Sequence, residues 1–268
     1  MYQVGYKING TFLELYRSCY DKVNYITRYA EAYIYPSKNI INADRPKCTF
    51  TKDGIMSGNV ETSIHKINVT NTFSLLYNGK YDEAMQVNRI DRGHLIAADD
   101  FLTYDQKVAT FKMVNVIPQF NSIQATGNWF KIEKFVRSLA DQQNNLPRIY
   151  VQTGSYGVLT LSDTAGNQVE ANLLQGTKFP VPAWMYKVVK IMPNRPIFAI
   201  ITSNNPFARL KPPRPAICMR FNCPDTLELE DIAVKGYYYC CDPASFNPYP
   251  VKATTTIQPP TKKPRLRH

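Results

Sequence analysis

Asp91-Arg92-Gly93-His94 sets a guanidinium and an imidazole two residues apart, with one glycine between them. Imidazole is the side chain best suited to take a proton from water near neutral pH. Guanidinium grips a phosphate through a planar fork of donors. Phosphodiester hydrolysis asks for both. A mostly apolar run follows, Leu95 to Phe101, broken by Asp99 and Asp100, which are suited to capping a helix. A second block, Val114-Asn115-Val116-Ile117-Pro118-Gln119, leads to Asn128-Trp129 and then to Glu133 and Arg137. The last two stand one helical turn apart and project together. A carboxylate there could orient water on a metal ion, and the arginine could stabilise charge building on a phosphate. Taken singly, His94 is an ordinary structural histidine and Glu133–Arg137 a surface ion pair of about 0.3–0.5 kcal/mol. Taken together, the groups favour a site.

The elements that must hold these groups are legible in part. Tyr29 to Tyr35 alternates, with Ala30, Ala32 and Ile34 on one face, and predicts a half-buried strand. Lys38 to Tyr81 is rich in Asn, Thr, Ser and Gly and reads as loop with short strands. Asn128 to Asp141 carries Trp129, Ile132, Val136, Leu139 and Ala140 at helical spacing. Arg148 to Gly154 reads as a strand entering a glycine turn. Trp184 to Ile191 and Pro196 to Thr202 read as two strands joined by a turn. From Pro243 onward, prolines, threonines and bases predict a disordered tail over 243–268.

The 268 residues suffice for one large domain, and 44% hydrophobic content excludes global disorder. A net charge of +11 favours a polyanionic partner, nucleic acid first. No apolar run is long enough to span a bilayer, and no membrane partner is expected. Six cysteines, at 19, 48, 218, 223, 240 and 241, lack Cys-x-x-Cys spacing or a nearby histidine and suit disulfides better than metal. Asn9-Gly10-Thr11 and Asn68-Val69-Thr70 are glycosylation sequons. Both features predict an oxidised, secreted or secretory-pathway protein whose signal lies outside this sequence.

Asp-Arg-Gly-His, then Asn-Val-x-Pro-Gln, then Trp with Glu and Arg beyond it, resembles the DNA/RNA non-specific endonucleases, which share a ββα-metal (His-Me finger) site. The resemblance covers roughly residues 12–206. It takes in Thr27-Arg28, Ile149 to Gly154, Pro182 to Val189 and Ile200 to Pro206. Gly236-Tyr-Tyr-Tyr-Cys-Cys241 looks closest to arthropod nucleases that degrade double-stranded RNA. The resemblance implies that His94 deprotonates water for in-line attack on phosphorus, leaving 5′-phosphate ends. It implies one Mg²⁺, with Mn²⁺ as a substitute, on the scissile phosphate. Arg28, Arg92 and Arg137 would neutralise the transition state, Glu133 would hold water on the ion, and Asn115 would hydrogen-bond near the substrate. The family's asparagine metal ligand lies four residues before the tryptophan, where this chain has Ala125. A one-residue insertion would instead put Gln124 in its place, and its amide oxygen can bind Mg²⁺.

The expected fold is α+β, with a central antiparallel sheet and a strand–loop–strand–helix finger presenting His94 opposite the helix of Glu133 and Arg137. The expected domain runs over 1–242. The expected function is metal-dependent, sugar-non-specific cleavage of DNA and RNA, double-stranded RNA included. The alternative is a weakened nuclease homologue that binds nucleic acid without turnover, because Ala125 holds no metal.

Overall fold

The computed structural model describes residues 1–37, 43–142, 148–192 and 195–249. Three strands, β1 (Tyr2–Ile8), β2 (Thr11–Asp21) and β3 (Ile26–Ile34), precede a helical segment of α1 (Gly58–Ser63), α2 (Lys66–Tyr77) and α3 (Asp82–Val87). The motif strand β4 (Ile90–His94) follows, then α4 (Tyr104–Ala109), β5 (Val116–Phe120), the one-turn α5 (Asn121–Gln124) and the long α6 (Asn128–Gln142). Next come β6 (Ile149–Val158) and four short strands, β7 (Thr160–Ser162), β8 (Gln168–Glu170), β9 (Asn172–Leu174) and β10 (Lys178–Pro180). The chain then runs through β11 (Pro182–Met192), β12 (Arg195–Ser203) and β13 (Tyr238–Cys241).

A seven-stranded antiparallel sheet, ordered β1-β2-β3-β6-β11-β12-β13, forms the platform. Its strands alternate between two cores. Ala30, Ala32 and Ile34 of β3 are almost fully buried, as their spacing predicts. Met185 and Val189 of β11 face the main core under α6, whereas Trp184, Tyr186 and Val188 face a smaller core closed by the C-terminal segment. At the centre, β3 and β11 pair with β6 at Gly154, opposite Tyr29 and Tyr186. A Cβ at Gly154 would lie 2.4 Å from the Tyr186 ring, so only glycine lets that tyrosine cross the strand. α6 buries Trp129, Ile132, Val136 and Ala140 along one stripe. Its first residue, Asn128, is tied down by its side chain, which donates to the Glu230 and Gly236 carbonyls at 2.7 Å each and accepts from Glu230 N–H at 3.0 Å.

Three expectations are corrected. The stretch from Lys38 to Tyr81 contains α1 and α2 rather than loop with short strands, and 38–42 lie outside the described residues. α2 buries only Val69, Phe73 and Tyr77, while Ile67 and Leu75 face solvent, so its apolar residues do not sort cleanly in sequence. The tail does not begin at Pro243. Phe246 packs on Tyr186, Asn247 N–H donates to the Ile217 carbonyl, and the Tyr249 hydroxyl donates to the Arg28 and Ser155 carbonyls. Only 250–268 of that stretch lie outside the described residues. Four of the six cysteines form bridges, Cys218–Cys241 and Cys223–Cys240, whereas Cys19 and Cys48 are unpaired thiols. The two sequons are both exposed: Asn9 lies in the β1–β2 turn and Asn68 in the first turn of α2.

The bridges staple the segment that covers the second face of the sheet. Replacing Cys223 and Cys240 together by serine opens a loop of 17 residues. The expected loss is about 2–4 kcal/mol in urea-unfolding free energy, and an unchanged midpoint would show that the bridge adds nothing.

Candidate active site

The motif strand pairs with β5 in a short antiparallel ladder, Ile90↔Phe120 through His94↔Val116. β4, the connecting loop, β5 and then α6 make the strand–loop–strand–helix finger. His94 ends β4, and two bonds fix the backbone after it: Leu95 N–H donates to the Asn115 carbonyl and Ile96 N–H to Asn115 Oδ1, both at 2.9 Å. The Asn115 amide also donates to the Ile96 and Thr110 carbonyls, at 2.9 and 3.0 Å. Those bonds use its side chain on the protein itself. Asn115 is fully buried and is not among the residues lining the cleft; its side chain is bonded to the backbone that follows His94.

A cleft of 930 Å³ opens between this ladder, α6 and the 43–50 segment. It brings together His94, Arg92, Gln124, Glu133 and Arg137. Arg28 is not among them. It is ion-paired to Asp21 at 2.7 Å and lines a separate cavity of 270 Å³ beside Ser155 and Tyr249. It lies near the start of β3, where the Tyr249 hydroxyl of the C-terminal segment donates to its carbonyl.

The His94 ring lies against Phe50 and Phe111, with centroids 4.9 and 4.8 Å away. Arg92 sits over Phe50 and Arg45 over Phe111, so each aromatic ring carries a cation on its way into the cleft. Burial, reinforced by the Arg45 charge, pushes the His94 pKa down to about 3 and holds the ring neutral. Its Nε2 is buried without a partner. Across the cleft, burial pushes the Glu133 carboxyl up to about 7, opposed by Lys187 and Arg45 and assisted by Asp100 and Asp99. Arg137 is largely held by protein: it donates to the Asp100 carbonyl at 3.2 Å, to the Tyr35 carbonyl, and to Asp141 Oδ1 at 2.8 Å. Arg92, by contrast, has no ion-pair partner among the described residues.

Four contributors carry no role in the sequence reading. Arg45 has no motif around it and enters the cleft only because its segment is pinned, with Thr51 N–H donating to Phe111 O and Ala43 N–H to Leu102 O. Lys107, 2% exposed, donates to the Ala43 carbonyl at 2.6 Å and pairs with Asp99 at 3.0 Å. Lys187, fully buried on β11, donates to Thr153 Oγ1 at 2.9 Å and reaches the Leu95 carbonyl at 3.5 Å. Gln119 lies inside the quoted motif block, yet only the fold shows that its amide is buried at the cleft with neither end bonded.

Among the described residues no cluster of three or more His, Cys, Asp or Glu forms a metal cage. The cleft instead offers scattered oxygen donors and unbonded buried polar atoms, on Gln119, His94, Trp129 and Arg137. Such atoms are normally satisfied by water or a ligand. Mg²⁺ keeps most of its waters and needs only one or two protein oxygens, so the donor set fits a hydrated divalent ion. Gln124 closes α5 at the wall of the cleft, with Ala125 beside it offering no side-chain oxygen.

Two outcomes test this geometry. A Cβ at Gly93 would lie 2.1–2.4 Å from Gln119 side-chain atoms. Gly93→Ala should therefore cost about 1–3 kcal/mol in thermal or urea unfolding, and a neutral result would show that Gln119 has room to move. His94 contributes native stability fully above its ordinary pKa of 6.5, and that contribution is lost as pH falls toward about 3. Stability of His94→Asn should fall less steeply between pH 6.5 and 4 than that of the parent. Parallel curves would mean that the ring is not buried neutral.

Comparison with known proteins gives the family. A family model described as DNA/RNA non-specific endonuclease matches residues 1–246. The chain is 27% identical over 212 residues to a salivary endonuclease of Lutzomyia longipalpis, covering 78% of this chain and 50% of that protein. It is 29% identical over 202 residues to a salivary endonuclease of Culex quinquefasciatus, covering 68% and 52%. It thus spans about half the length of these relatives. A solved complex of EndoG with its inhibitor EndoGI superposes with a TM-score of 0.47 at 21% identity, over 71% of each chain. Because the family match runs from the first residue past the disulfide-bearing strand β13, the chain as a whole belongs to the DNA/RNA non-specific endonuclease family.

Proposed function

We propose that this chain is a divalent-metal-dependent, sugar-non-specific endonuclease that cleaves DNA and RNA, double-stranded RNA included, and leaves 5′-phosphate ends. The observation that carries the reading is a neutral His94 whose Nε2 is unpartnered, in a cleft that also holds Arg92 and Arg45, neither of them ion-paired among the described residues. Arg92 and Arg45 bind non-bridging oxygens of the scissile phosphate. Arg137 adds positive charge from α6. His94, unprotonated throughout the physiological range, takes the proton of the attacking water as its oxygen bonds to phosphorus. The P–O3′ bond breaks, and the leaving oxygen is protonated from solvent. Glu133 holds water on the opposite wall, and Asn115 and Lys187 fix the backbone that carries His94. Gln124 and Gln119 would hold a Mg²⁺ or Mn²⁺ ion through their amide oxygens. When bound, such an ion would supply positive charge against the phosphate. The cations are directed at the backbone rather than at bases, which suits cleavage without regard to sugar or sequence. Similarity to salivary endonucleases and the two disulfides support a secreted protein.

A second reading, nucleic-acid binding without turnover, draws on Ala125, which offers no side-chain metal donor at the cleft. Incubating folded, oxidised protein with double-stranded RNA and plasmid DNA separates the two. With Mg²⁺ the parent should cleave both. EDTA should abolish cleavage, and His94→Ala should slow it about 10²–10⁴-fold. Intact substrate in the presence of Mg²⁺, with binding retained, would replace the enzyme by the binder. Because Glu133 is protonated below about 7, cleavage should rise as pH increases through that value and its carboxylate forms. Glu133→Gln should flatten that rise, and a profile unchanged in the variant would remove Glu133 from the reaction.

A further inference from the structure

A second groove, of 530 Å³, begins where the catalytic cleft ends. Arg89, Asp91 and Arg92 line both, so the two grooves adjoin across these side chains. Its far wall is formed by Ile64 through Asn68, at the junction of α1 and α2. That wall is rigid: Val69, Phe73 and Tyr77 anchor α2 in the main core, and the Asn68 amide donates to the Thr62 carbonyl at 2.7 Å. His65, Lys66 and Ile67 are therefore held in the open, with Ile67 73% exposed.

In the second groove the cations Lys66, Arg89 and Arg92 outnumber the acids. Asp91, its one acid, is already satisfied, accepting from Arg89 Nε and from the Asn121 amide at 2.7 Å each. Lys66 and Arg92 enter no ion pair among the described residues. The second groove thus offers two cations outside any ion pair among the described residues, a third already paired, and an exposed aliphatic side chain beside Lys66. A polynucleotide strand presents the complement, phosphates at regular intervals separated by apolar sugar faces.

We propose that this second groove is a backbone subsite: the substrate strand leaves the catalytic cleft past Arg92 and Arg89 and lays its following phosphates against Lys66 and His65, with Ile67 against a sugar. This rests on the nuclease reading of the cleft and narrows its substrate class to polynucleotides long enough to reach α2. Short oligonucleotides occupy the cleft alone.

The test is fluorescence anisotropy on glycan-free protein in EDTA, with single-stranded DNA of 20 and of 4 nucleotides, over a range of salt. For Lys66→Glu, the affinity for the long strand should fall about tenfold relative to that for the short one. Its slope of log affinity against log salt should shrink by about one unit. Lys66→Ala should move both in the same direction by less. Lys7→Glu, on the edge strand β1 outside both grooves, removes the same charge and should leave the length ratio unchanged. Equal effects of Lys66→Glu on both lengths, or none on either, would overturn the subsite, as would failure of the parent to bind the long strand. The readout needs no turnover. A chain that shows the length effect but never cleaves keeps the subsite and loses the catalytic reading, and one that cleaves without the length effect loses the subsite alone.

Discussion

The backbone immediately after His94 is the fixed point to which the rest of the cleft is referred. Asn115 clamps it from one side with its main-chain carbonyl and its side-chain oxygen, and Lys187 reaches the Leu95 carbonyl from the sheet beneath. These bonds are buried, so leaving any of them unmade would expose a desolvated donor or acceptor at a cost of about 1–3 kcal/mol. The imidazole consequently has little freedom to swing away from the cleft. Sheet, finger and helix meet there, and none of the three could shift without breaking a satisfied polar contact.

Burial shifts His94 and Glu133 in opposite directions and both toward neutrality, and it raises the Asp100 carboxyl as well. His94 loses its proton readily and Glu133 keeps its own until pH approaches about 7. Below pH about 7 the protonated Glu133 therefore leaves the guanidinium groups of the cleft uncancelled by its charge, which suits an anionic backbone. Two lysines stabilise this arrangement from behind. Lys107 holds the lip that carries Arg45, and Lys187 supplies positive charge under Glu133 and Asp100. Neither opens onto solvent, so their contribution is less screened by salt than that of surface pairs.

Much of the platform was legible from periodicity. β3 and α6 follow from alternation and helical spacing, because each buries one stripe against the main core, and β11 and β12 read as apolar runs because their two faces are buried in different cores. α2 was not legible, because two of its apolar residues face solvent and its polar residues are typical of loops. The site was legible where a motif concentrates it: Arg92, His94, Glu133 and Arg137 share the cleft. It was illegible where a residue arrives from a remote segment, as Arg45 does. Arg28 was misplaced for the same reason, since position before a strand says nothing about which side of the sheet the side chain serves.

The amino-acid sequence by itself determined the finger and the family, because the motif residues that mark them are set by type and local spacing along the chain. Tertiary structure decided everything that depends on which distant surfaces touch. It made Asn115 a clamp on the backbone after His94, moved Arg28 out of the cleft and Arg45 into it, and left Cys19 and Cys48 unpaired. It also joined the cleft to a groove walled by α2. Those outcomes arise from burial and packing between segments far apart in the chain, where local spacing carries no information.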